Sequence, residues 1–146
     1  MIKKRFEGEY VHYIGKGDKN LIDSKCGKWM YFFNWDNMSK VPALCERAVE
    51  EGITPHVKHT MLEYIDMDNH GLCCFYANAD DTDAHKRIIQ FFLDNGLIPR
   101  ISSGRLKNIS FKLDSQTRNN EYGDDFTARI RLDDFLDLYT GEWKVK

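Results

Sequence analysis

Two segments decide the fold: Asn108-Ile109-Ser110-Phe111-Lys112-Leu113-Asp114 and, after a polar run over residues 115–125, Phe126-Thr127-Ala128-Arg129-Ile130-Arg131-Leu132. Both alternate. Ile109, Phe111 and Leu113 fall on one side of an extended chain, with Ser110, Lys112 and Asp114 on the other. Phe126, Ala128, Ile130 and Leu132 likewise oppose Thr127, Arg129 and Arg131. A period of two predicts strands with one face buried and one wet. The wet face here is basic, although the whole chain carries a net charge of -2.

Working outward, residues 27–34 are aromatic-rich and read as a buried strand, and residues 9–14 as a short one. Residues 39–51 predict a helix with Ser39 as N-cap and Pro42 near its start. Val41, Leu44, Cys45, Ala48 and Val49 form its apolar stripe, and Gly52 stops it. Residues 53–62 and 71–79 read as strands, the second nearly all apolar and therefore central. Asp80, Asp81 and Thr82 lead into a second helix with Ile88, Ile89, Phe92 and Leu93 on its inner side and Asn95-Gly96 at its end. Residues 133–138 predict a short helix that drops Phe135 and Leu136 onto the core, with Trp143 anchoring the tail. The pattern predicts a single α+β domain over residues 1–146: a mostly antiparallel sheet, two long helices on one face, and an open polar, basic face.

Composition narrows the function classes. Aromatics at 13% and only 3 prolines describe a folded chain rather than disorder. A slightly acidic balance argues against sequence-blind DNA binding. Cys26, Cys45, Cys73 and Cys74 have neither zinc nor disulfide-framework spacing, and read as reduced thiols of a cytoplasmic protein. No apolar stretch suits a signal peptide or a membrane span, and no metal or cofactor is expected. Gly15-Lys16-Gly17-Asp18-Lys19-Asn20 lacks the end of a phosphate-binding P-loop and reads as a turn.

Strand parity gathers the polar residues. Lys58, Tyr76, Asn78, Lys112, Arg129 and Arg131 fall on the open face, while the acidic residues (Glu46, Glu50, Asp80, Asp81, Asp124, Asp133 and others) lie largely in helices and loops. A cationic patch on an otherwise acidic protein suits a phosphate or carboxylate. The competing reading is a solvated sheet face whose Lys and Arg residues aid solubility. The segment after Lys112 is dense in hydrogen-bonding groups and is expected to be a loop that closes over a ligand, with Arg118 holding an anion. His56 and Lys58 share a side of their strand and His59 faces the other. His12 and His85 read as structural histidines. Trp29 reads as core, and Trp35 is the tryptophan best placed to stack on a base.

The series Gly27-Lys28-Trp29-Met30, helix, Val57-Lys58, strand, helix, Phe111-Lys112-Leu113-Asp114-Ser115-Gln116-Thr117 resembles the basophilic-leukaemia-expressed-protein family. Members of that family have a fold like the cap-binding translation initiation factor 4E and are sometimes labelled phosphothreonine lyases. The chain is also similar to small proteins of bacteria and their phages. The resemblance implies an α+β fold and a site near Lys58, Lys112, Asp114, Thr117 and Arg118. Phosphothreonine lyases use a Lys base, a His acid and Arg residues for the phosphate. Lys112 and Arg118 stand in a similar strand-to-loop context, and no histidine of this motif takes the acid position.

Three functions are therefore expected. The first is a small binding protein holding a nucleotide or phosphorylated ligand on its basic face, with phage-type counter-defence as a setting. The second is an enzyme acting on a phosphate ester with Lys58 or Lys112 as base. The third is an inhibitor that binds a host protein without a small ligand.

Overall fold

A computed structural model describes residues 2–118 and 130–144, with Thr117 and Arg118 as backbone only. The chain runs β1 (Lys3–Glu7), β2 (Tyr10–Ile14), β3 (Cys26–Phe33), α1 (Val41–Glu50), β4 (His56–Thr60), β5 (Gly71–Asn78), α2 (Thr82–Asp94), β6 (Ser110–Leu113), α3 (Asp114–Arg118) and β7 (Ile130–Arg131). Among the described residues these seven strands form one antiparallel sheet in the order β1-β2-β4-β5-β3-β6-β7. The expected α+β class is the observed one.

Both long helices cover the same face. Val41, Leu44, Cys45, Ala48 and Val49 of α1 and Ala84, Ile88, Ile89, Phe91 and Phe92 of α2 pack on Val11, Tyr13, Trp29, Phe33, Val57, Phe75 and Phe111 of the strands. Each large side chain withdrawn from water here contributes about 1.5–3 kcal/mol. Phe75 and Phe92 meet edge to face at 4.9 Å, fixing α2 over β5. Asp81 caps α2 by accepting from the Ala84 amide at 3.1 Å. Gly96, at φ 66°, releases the chain beyond α2 in the left-handed region that glycine tolerates.

Several element ends differ from expectation. β1, wholly exposed, has no apolar alternation and exists through its pairing with β2. Ser39 lies in a 3-10 turn over Met38–Lys40, and α1 starts at Val41 with no side-chain cap. The short helix expected over 133–138 is a 3-10 turn, Leu132–Asp134, although Leu136 is buried and Trp143 is tied back by its indole N–H to Gln90 at 3.0 Å. The polar run after Lys112 does not begin as a loop: β6 passes directly into α3, where the Gln116 side chain turns back to accept from the Leu113 amide at 3.1 Å. Residues 119–129 lie outside the described residues.

Candidate functional site

The face away from the helices is built in rows by the strand register. Tyr76 of β5 stands opposite Lys28 of β3, and Lys28 opposite Lys112 of β6. One row along, Arg5 opposes His12, His12 opposes Lys58, Lys58 opposes Cys74, and Cys74 opposes Met30. Arg131 opposes Ser110 at the β7 edge. Cross-strand side chains of this kind stand about 5 Å apart at Cβ. Lys58, Tyr76, Lys112 and Arg131 therefore share the face assigned to them by parity.

Lys28 belongs to this face as well, and the sequence reading passed over it. It lies between Gly27 and Trp29 in an aromatic run that reads as buried on both sides. Lys28 and Lys112 are each only 7% exposed. Like charges directly opposite one another destabilise a sheet unless a counter-charge stands near. Asp114 is one such charge, its carboxylate 3.1 Å from the Lys28 ammonium. Lys58 spreads its ammonium over the Tyr10 ring, 4.0 Å from the centroid. Burial pushes the Cys74 thiol up to about 11, and the nearby Lys58 and Lys28 charges oppose that rise. Burial also raises the Tyr76 phenol well above its ordinary value.

The remaining assigned residues fare differently. Asn78 shares the face by parity, but its amide is committed: its oxygen accepts from the Ile22 amide at 2.8 Å and its nitrogen donates to the Asn20 carbonyl at 2.9 Å. It braces the loop before β3. Asp114 is paired with Lys28. Thr117 and Arg118 fall in α3, their side chains outside what is described, and Arg129 lies outside the described residues.

The histidines hold the largest departure from the sequence reading. His12 does have a partner. Its Nδ1 is 2.8 Å from Nε2 of His56, and Nδ1 of His56 donates to the Asp18 carboxylate at 2.8 Å. Asp18 comes from the glycine-bearing loop between β2 and β3, which is a 3-10 turn at Lys16–Asn20. The His56 ring also lies 5.0 Å from the Tyr76 ring. The chain Asp18–His56–His12 thus borders the cationic rows. By contrast His85 and His59 are core residues. His85 accepts from the Trp29 indole at 3.0 Å and donates to the Ala79 carbonyl at 2.8 Å. His59 meets the Tyr13 hydroxyl at 3.1 Å and donates to the Thr60 carbonyl at 2.8 Å. Burial lowers the pKa of both.

A cleft of about 690 Å³ opens elsewhere, between the loop after β2 and the two long helices. Its charges oppose one another, Lys16 and Arg87 against Glu46, Glu50 and Asp81, so it offers no single sign to a ligand. No group of three metal-ligating side chains is assembled among the described residues. Nor is any described helix long and apolar enough to cross a membrane.

Fold and site together define an α+β protein with an open antiparallel sheet whose face away from the helices carries Lys28, Lys58 and Lys112. Compared with known proteins, the chain matches no family model and no curated protein.

Proposed function

We propose that this protein binds a phosphorylated ligand on the open sheet face. The observation that carries the reading is the direct juxtaposition of Lys28 and Lys112, with Lys58 one row along on the same face. A phosphate set among ammonium groups makes charge-assisted hydrogen bonds to them.

An acid–base lyase at Lys112, as the family resemblance implies, is less well supported. Its acid would be a histidine, and His56 is separated from Lys112 by the widths of β5 and β3. Three strand spacings amount to about 14 Å, too far for one proton transfer.

The test is thermal unfolding with inorganic pyrophosphate and with nucleoside mono-, di- and triphosphates. Ligand at a hundred times its Kd stabilises by about 2.7 kcal/mol, a rise of several degrees for a chain of this size. Lys58→Ala and Lys112→Ala are expected to reduce that rise, Lys16→Ala to leave it. An absent shift with every phosphate, or a shift untouched by Lys58→Ala and Lys112→Ala, rejects the reading.

A further inference from the structure

The hydrogen-bonded chain of Asp18, His56 and His12 is more than a sheet needs for packing. Asp18 fixes the proton of His56 on Nδ1. In the neutral pair, Nε2 of His56 then accepts from Nδ1–H of His12, leaving the lone pair of His12 on Nε2. That second nitrogen makes no hydrogen bond to a described residue. Because no buried side-chain nitrogen or oxygen lacks a partner among the described residues, Nε2 of His12 reaches the surface of the face. Its direct cross-strand neighbour is Lys58.

We propose that His12 is a general base, with His56 and Asp18 as positioning residues, for hydrolysis of a phosphoanhydride held by Lys58. The inference rests on the phosphate-binding reading above. Water supplies the nucleophile. Nε2 of His12 takes one proton from it while the water oxygen bonds to phosphorus. The bridging P–O bond breaks, and its electron pair leaves on the departing phosphate. His12 then returns the proton to solvent. An anhydride fits because its leaving group departs as a stable anion and needs no acid, and the ammonium group of Lys58, directly across from His12, stands on the face to hold that charge.

The surroundings keep His12 in its unprotonated form. Burial first, with the nearby Lys58 and Arg5 charges adding to it, lowers its pKa to about 4, with Glu7 opposing. The imidazole is therefore unprotonated across the neutral range.

The experiment measures phosphate release from pyrophosphate and adenosine triphosphate, beside binding of the non-hydrolysable β,γ-imido triphosphate. His12→Gln and His12→Ala are expected to lower kcat about a hundred-fold or more while analogue binding persists. His56→Gln removes the ring nitrogen that orients His12. It is expected to lower kcat while KM and analogue binding stay, a split that mere loosening of the fold would not cause. Analogue binding with no turnover, or turnover undiminished in both His12 variants, overturns the catalytic role and leaves the binding reading standing. Absence of analogue binding overturns both.

Discussion

At the scale of single residues, His85 and His12 show how one side-chain type takes opposite roles through its two ring nitrogens. Both nitrogens of His85 are committed, one to the Trp29 indole and one to the Ala79 carbonyl, so the ring joins β3 to the start of α2 and has nothing left for chemistry. It is 2% exposed and packs edge-on against Phe111 at 4.7 Å. Replacing it by a ring of similar size without nitrogens keeps the packing and orphans two buried groups. Each orphan costs about 1–3 kcal/mol, so His85→Phe is expected to destabilise the fold by about 2–6 kcal/mol. Urea unfolding measures this. A loss below about 0.5 kcal/mol would mean that the indole and carbonyl find other partners. His12 differs by keeping one nitrogen at the surface, which is why the same substitution there is expected to matter to turnover.

At the scale of elements, the β3–β6 contact positions the paired lysines, and Gly27 permits it. A Cβ at this position would stand 2.5 Å from the Phe111 ring and 2.7 Å from the Lys112 carbonyl oxygen. Backbone cannot retreat there without breaking the ladder that sets Lys28 opposite Lys112. Gly27→Ala is therefore expected to cost about 1–3 kcal/mol and to weaken phosphate binding together with stability. Urea unfolding and ligand-induced thermal shift read the two effects, and unchanged values in both would refute the tight approach. This contact also marks where the sequence stops being legible. β6 and α2 could be read directly, because Ile109, Phe111 and Leu113 alternate and Ile88, Ile89 and Phe92 recur at helical spacing. Lys28 could not, since its neighbours Gly27, Trp29 and Met30 make a continuous apolar run in which period two is invisible. Nor could the His12–His56 pair be read. It depends on β2 lying beside β4 while β3, next in the chain, crosses to the far side of β5. Parity alone put His56 and Lys58 on one side, and that was the available signal. Knowledge of strand order was the missing part.

At the scale of the whole molecule, the distribution of neutral histidines sets how the fold answers to acid. His12, His59 and His85 all have pKa values depressed below the ordinary 6.5, His12 to about 4, with burial the leading cause in each. The native state therefore resists protonation at these rings, while the unfolded chain takes up protons as pH falls below about 6.5. Stability rises with pH wherever the unfolded state binds more protons. The contribution of these histidines is thus complete above about pH 6.5 and is lost progressively from there down towards their native pKa values. Carboxylates with lowered pKa values, Asp80 beside Lys25 and Asp137 bonded to the Thr140 and Tyr139 amides, add their own loss only in the more acid range. Between about pH 6.5 and 4.5 the slope belongs chiefly to the histidines. The Tm is expected to fall steadily across that interval. In a proton NMR titration, the ring signals of His12 should stay flat from pH 7.5 to 5, and those of His59 and His85 should titrate below the ordinary 6.5. A Tm independent of pH over this range, or three rings titrating near 6.5, would show that these histidines are hydrated in the native state. The Asp18–His56–His12 arrangement would then lose the dry setting that holds His12 unprotonated.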